Sequence, residues 1–194
     1  LELTPIPLRD RIEQVAAQAR AAGASRLKIV PLFLSAGVHV TEDIPAEVNR
    51  AQKALGERVR LELQPHVGTY PQLAQILAQR LAQVPAEASI LLAHGSRRQG
   101  ANQAIAALAG GLKALPAYWS VEPSLAGQVE ILAGSGKRAI AIVPYFLFTG
   151  GITDAIARQI HQLQQKFPHV AFKLAEPLGA TPEFAHLLVE RMER

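Results

Sequence analysis

The sequence predicts an α/β fold made of two similar units, each a parallel sheet with helices packed on it. Two observations carry this. Short apolar runs alternate with stretches of helical periodicity, the pattern of strand–helix–strand units. The chain also repeats itself: "KIVPLFLSAGVHVTEDIPAEV" from residue 28 lies over "AIVPYFLFTGGITDAIARQI" from residue 141. Val30-Pro31 meets Val143-Pro144, Phe33-Leu34 meets Phe146-Leu147, and Gly37 meets Gly150. The likeness runs upstream, where "PLRDRIEQVAAQARAAGASRLKIVP" matches "PSLAGQVEILAGSGKRAIAIVP", and downstream, where "LELQPHVGTYPQLAQIL" matches "KLAEPLGATPEFAHLL". Pro31 and Pro144 stand 113 residues apart, too long a period for a solenoid repeat, so the reading is domain duplication.

The elements follow in order. The second unit, residues 87–194, opens with the apolar run "SILLAH" over 89–94. A helix is expected over about 101–114, a weak strand near "AYWSV", and a helix after Pro123. The strand "AIAIVPYF", a helix over about 153–166, the strand "VAFKLA" and a last helix from Pro182 complete it. In the first unit, residues 1–86, the run through "PLFLS" reads as a buried strand that breaks at Gly37, and a loop then opens a helix. That unit begins at "LELTPIPL", the counterpart of the second unit's second strand. It lacks an opening strand and helix of roughly 30 residues. A sheet missing an inner strand would expose unpaired backbone groups, so the expectation is that the native polypeptide carries them. Crossovers are expected to be right-handed. Ligands of such sheets sit beyond the carboxyl ends of the strands.

Bulk properties narrow the function. Of the 194 residues, 49% are hydrophobic and 19% charged, a globular composition. No apolar run approaches the roughly 20 residues needed to span a bilayer. No basic-then-apolar signal opens the chain, so the expected location is the cytoplasm, with no membrane partner. The chain contains no cysteine. Disulfides, thiolate zinc sites and cysteine nucleophiles are excluded, and metal binding falls to His, Asp and Glu. The net charge of +4 is mild. Aromatic residues make up 5%, too few for a base-stacking surface, so no nucleic-acid partner is expected. A small acidic ligand is compatible with that charge.

Two histidines stand at strand ends. His94 opens "HGSRRQGANQ", where Gly95 allows a sharp turn and Ser96 can cap it or donate to an anion. Arg97 and Arg98 offer forked donors to carboxylates or phosphates. A turn histidine with solvated arginines gives the same string. The glycines fit neither a P-loop nor a dinucleotide fingerprint. His39 has Ile152 as its counterpart in the second copy. A fold requirement would apply to both copies, so an imidazole in one points to a task of one half. Drift in a permissive loop would leave the same trace. His66, at another strand end, His161, His169 and His186 read as structural or surface residues. Tyr118 and Trp119 read as core.

Together "VPLFLSAGVHVTEDIP", "HGSRRQGANQ" and the opening "LELTPIPL" resemble the sirohydrochlorin chelatases, class II tetrapyrrole chelatases of the CbiX type, in their two-repeat form. The resemblance covers nearly the whole chain, and the G-V-H-V-x-E-D-I-P string is its most specific part. It implies a flavodoxin-like fold in each half. It implies ATP-independent insertion of a divalent ion, Fe²⁺ or Co²⁺, into an octacarboxylate macrocycle, for sirohaem or cobalamin synthesis. No cofactor is implied beyond that metal substrate, and the expected state is a monomer or weak homodimer. The family's metal-handling and catalytic positions fall on His39 in the G-V-H motif, His94 in the H-G-S motif and Glu2 in the F-L-E position. Ser96, Arg97 and Arg98 are the candidate tetrapyrrole-binding groups. The second unit lacks the G-V-H histidine and the first lacks its own H-G-S strand, so no single repeat carries the whole set. A carrier that binds tetrapyrrole or metal without catalysis is the alternative. A flavodoxin-like nucleotide or phosphate binder is a more distant one.

Chemistry agrees with the resemblance. Metallation needs a base for the pyrrole N–H protons and a ligand set weak enough to release the ion. A macrocycle that is flat, apolar and acid-rimmed wants an apolar cleft edged by cationic or backbone donors.

Overall fold

The computed structural model describes residues 5–193. The chain divides into two compact units, Leu1–Tyr70 and Pro71–Arg194.

The first unit contains helix α1 (Leu8–Ala21), strand β1 (Arg26–Ile29), helix α2 (Ile44–Leu55) and strand β2 (Arg60–Leu63). β1 and β2 pair in parallel, with Arg26 opposite Arg60 and Ile29 opposite Leu63. Side chains alternate across the sheet. Leu27, Ile29, Leu61 and Leu63 face the helices and pack with Ile12, Ile44, Val48 and Ala51. Glu62, on the other face, meets Arg26 and Arg60 at 3.7 and 3.9 Å. Of the opening "LELTPIPL", expected as a strand, residues 1–4 and Glu2 with them lie outside the described residues, and residues 5–8 are not strand but lead into α1.

The second unit starts with helix α3 (Gln72–Gln83). It continues through β3 (Ala88–Ala93), α4 (Gln103–Gly111), β4 (Leu115–Tyr118), α5 (Leu125–Gly134), β5 (Ala139–Pro144), α6 (Gly151–Lys166), β6 (Ala171–Leu174) and α7 (Pro182–Glu193). Its four strands are all parallel, in the order β4-β3-β5-β6. Counted within the unit this is 2-1-3-4, the beginning of the flavodoxin-like order. Ile90, Leu92, Ile140 and Ile142 pack on Leu125, Val129, Ile156 and Leu163 of α5 and α6. Leu91, Ala141 and Val143 project to the opposite face and are buried as well, on the side where α3 packs on β5 and α4 on β3. A sheet covered on both faces reads as continuous apolar runs, which is why "SILLAH" and "AIAIVP" show no alternation.

Each expected element of the second unit forms, with ends shifted by a few residues. β4 starts two residues before Ala117, and α4 is shorter than its periodic stretch at both ends. The larger difference is in the first unit. The apolar run around residues 30–36 is not strand, because β1 ends at Ile29. Pro31 has no N–H to give to a ladder. The run instead accepts hydrogen bonds from the segment after β2: Val67 N–H donates to Pro31 O (3.1 Å) and Gly68 N–H to Phe33 O (2.9 Å). The second copy does the same, with Leu178 N–H on Phe146 O (3.0 Å). Below these, Gln64 N–H meets Ile29 O (2.8 Å) and Ala175 N–H meets Ile142 O (2.9 Å), equivalent bonds in the two copies. The duplication read from sequence therefore recurs in the backbone pairing. Tyr118 is buried as expected, but Trp119 is 37% exposed. β4 stops at Tyr118, and Trp119 lies beyond it with its N–H on Ala93 O (2.9 Å).

Candidate functional site

In the first unit the carboxyl edge of the sheet carries His39 and His66. The loop after β1 ends in a five-residue π-helical turn, His39–Asp43, which runs directly into α2. Its defining bond is Ile44 N–H to His39 O. Gly37 O starts the turn by accepting from Val40 N–H (2.9 Å) and Thr41 N–H (3.1 Å). The imidazole Nδ1 lies 2.7 Å from Asp43 Oδ2. The Phe33 ring stands against the His39 ring at 6.2 Å between centroids, tilted by 48°. The two partners remain 42% and 48% exposed, so the other ring nitrogen, Nε2, can reach a ligand. Single-turn π segments concentrate at functional sites.

His66 follows β2 and is half-buried, and burial holds its pKa below the usual 6.5. Its carbonyl takes the N–H and hydroxyl of Thr69, at 3.0 and 2.8 Å.

In the second unit His94 follows β3, the strand at which the order reverses, where open parallel sheets bind ligands. The ring is exposed. The backbone beneath it is fixed: Ser120 donates to His94 O through both N–H and hydroxyl, each at 2.9 Å. Gly95 adopts φ +80°, and a Cβ there would sit 2.7 Å from Tyr118 Cβ. Only glycine fits that turn. Ser96 is bound into the turn. Its N–H donates to Asn102 Oδ1 (3.0 Å), Asn102 Nδ2 donates to Ser96 O (2.9 Å), and Ser96 Oγ accepts from Arg98 N–H (3.1 Å). Tyr118 Oη donates to Asn102 O at 3.2 Å. Arg97 and Arg98 are exposed, and among the described residues neither guanidinium has a recorded partner.

Of the sequence-predicted site residues, His39 and His94 thus lie at carboxyl edges of the two sheets, one in each unit. Ser96, Arg97 and Arg98 share the turn after His94. Glu2 lies outside the described residues. No group of three or more His, Asp or Glu forms a metal-binding cluster among the described residues. Two residues were missed by sequence reasoning. Asp43 has no role in the sequence reading, although a spacing of four residues from His39 signals a shared helical face. Asn102 was not singled out, although Asn is the residue that bonds to nearby backbone in turns. His161, His169 and His186 are exposed, on or beside helices. No helix of the described residues is long and apolar enough to cross a membrane.

The chain is 27% identical over 201 residues to a sirohydrochlorin cobaltochelatase of Priestia megaterium, an alignment covering 95% of the chain and 65% of that protein. A sirohydrochlorin ferrochelatase of the same organism is 25% identical, with 88% of the chain and 68% of the relative covered. The chain therefore spans about two thirds of the length of these relatives. Among solved structures, SirB from Bacillus subtilis with Fe³⁺ superposes at a TM-score of 0.78 over 98% of this chain and 78% of that one, at 22% identity, a likeness of fold. The CbiX family model matches residues 8–84 and again residues 88–194, once on each copy of the repeat, and the chain belongs to that family of sirohydrochlorin chelatases.

Proposed function

We propose that this chain inserts Fe²⁺ or Co²⁺ into sirohydrochlorin without ATP, in the synthesis of sirohaem or cobalamin. The observation that carries the reading is the exposed imidazole of His39 at a sheet's carboxyl edge, in a chain whose family and relatives are sirohydrochlorin chelatases. The reaction takes one divalent ion in and releases two pyrrole protons. His39 escorts the ion and accepts a proton through Nε2, since a neutral imidazole serves both tasks near pH 7. His94 and Glu2 are the further metal-handling groups. Within either unit, a single imidazole holds an ion less firmly than a closed four-ligand site and so can release it to the macrocycle. Arg97 and Arg98, with the Ser96 turn, hold rim carboxylates of the substrate. The repeats, residues 1–86 and 87–194, are the duplicated units, and the protein works in the cytoplasm as a monomer or weak homodimer.

The test is metal insertion under anaerobic conditions with sirohydrochlorin in large excess over protein, followed by the visible spectrum. Many turnovers per chain above the metal-only background are expected, and His39→Ala should return the rate to that background. Stoichiometric binding of tetrapyrrole or metal without acceleration would mean a carrier instead.

A further inference from the structure

The two copies differ by one residue at the place where the imidazole sits. Gly37 O accepts from Thr41 N–H as Gly150 O accepts from Asp154 N–H, but the hydroxyl on Gly37 O is that of Thr41, four residues on, while the hydroxyl on Gly150 O is that of Thr153, three residues on. Within the helices the step has changed. Ile44, Val48 and Ala51 face the first core where Ile156, Ile160 and Leu163 face the second. Gln52 Nε2 donates to Val59 O (3.1 Å) as Gln164 Nε2 donates to Val170 O (2.9 Å). Between Gly37 and Ile44 stand six residues, 38–43, but between Gly150 and Ile156 only five, 151–155. The first copy thus has one residue more. The π-helical turn absorbs it without rotating the apolar face of α2 off the core, because an i to i+5 bond spans the additional residue. The longer stretch has two acids, Glu42 and Asp43, where the shorter has Asp154 alone. It belongs to the copy that has His39, and the Asp43 carboxylate lies 2.7 Å from the imidazole Nδ1. The copy without the insertion has Ile152 in the place of the histidine.

From this we infer that Asp43 is a positioning residue: its carboxylate takes the Nδ1–H of His39 and fixes the ring so that the Nε2 lone pair faces the incoming divalent metal. A carboxylate only accepts, so the ring hydrogen belongs on Nδ1 and Nε2 is left as the ligand and proton-accepting atom. A carboxylate behind a metal-binding imidazole sets its tautomer and orientation and raises its basicity. Phe33 stands against the same ring and limits its swing. The inference rests on the proposed role of His39 in handling metal.

The experiment uses the full chain at one fixed pH near 8, with ¹⁵N-labelled histidine, and needs no metal or tetrapyrrole for its first arm. Two-dimensional ¹⁵N spectra should place the His39 hydrogen on Nδ1 in the wild type. Asp43→Asn, which keeps the shape, and Asp43→Ala should mix the tautomers, and Asp43→Glu should recover most of the Nδ1–H form. In the second arm Co²⁺ alone is titrated. Loss of Asp43 should weaken its binding about 10–100-fold, and the KM for sirohydrochlorin should stay near wild type while kcat falls. A wild-type ring with its hydrogen on Nε2, or Asp43→Ala with unaltered tautomer and Co²⁺ affinity, would overturn the inference. Failure of the parent reading looks different: His39→Ala would then leave Co²⁺ binding and insertion intact, whatever the tautomer.

Discussion

A Cβ on Gly68 would lie 2.0 Å from the carbonyl oxygen of Leu34. The segment after β2 lies directly on the loop after β1, with Gly68 N–H on Phe33 O and Val67 N–H on Pro31 O. The loop that leads to His39 is held from below by this contact, so glycine is required by the neighbouring backbone. Backbone cannot yield as a side-chain end can, and forced overpacking costs about 1–3 kcal/mol or more. Gly68→Ala should lower the unfolding free energy by that amount, read as a lower urea midpoint with little change in slope. Gly110→Ala is the control. It lies in α4 with open space where its Cβ would go, and should stabilise by about 0.4–1 kcal/mol. Equal effects of the two substitutions would mean that the Gly68 contact is not tight.

Asn102 should matter more than its position in a loop suggests. It closes two reciprocal hydrogen bonds on the backbone of Ser96, two residues past His94. Asn102→Ala leaves both groups without their partner, a loss of about 0.5–1.5 kcal/mol per bond. It should also loosen the turn that presents Arg97 and Arg98, so KM for the tetrapyrrole should rise. Asn102→Asp keeps the acceptor for Ser96 N–H but loses the donor, and should fall between. Hydrogen exchange at Ser96 N–H that does not quicken in Asn102→Ala would contradict this account.

His66 gives the fold a dependence on pH whose sign is fixed. Burial lowers its pKa below 6.5 in the folded chain. As pH falls through about 6.5 the unfolded chain takes up a proton before the folded one does, so stability drops. Below the folded value both forms are protonated and the loss is complete. Above 6.5 both are neutral and the residue contributes no slope. His66→Gln should flatten the fall of the urea midpoint on acidification from pH 7.5 to 5. An unchanged pH profile in that variant would assign the slope to other groups.

How far the sequence could be read depended on whether neighbours along the chain decide the structure. The strands and helices of the second unit were legible because each is long or apolar enough to set its own period. The duplication was legible because Pro31, Phe33 and Gly37 recur as Pro144, Phe146 and Gly150. The end of β1 was not legible, because apolar residues after Pro31 look like strand even where their partners across the loop bond to them irregularly. The bond between His39 and Asp43 was half legible. The spacing was present, but a single added residue in a π-helical turn appears only when the two helices are set in register by their cores. The place of α3 was hidden as well. It reads as the last element of the first repeat, yet it packs on β5 and α7 within the second compact unit.

Arg97 and Arg98 carry the last prediction. Both follow His94 at the edge where the strand order reverses, both are exposed, and among the described residues neither has a recorded ion-pair partner. Their removal should therefore cost the fold little, within about 0.5 kcal/mol. If they hold rim carboxylates of an acidic macrocycle, they grip substrate and transition state alike, and such groups raise KM while kcat stays put. Exposed charge contacts are worth about 0.2–1 kcal/mol each, and forked pairs with carboxylates more. The double change Arg97→Ala, Arg98→Ala should then raise KM roughly ten-fold, since about 1.4 kcal/mol makes one decade. The rise should shrink as salt is added, because the screening length falls to about 8 Å at physiological ionic strength. An unchanged KM at low salt would put these arginines in contact with solvent alone, and would leave substrate binding to the edge that bears His39.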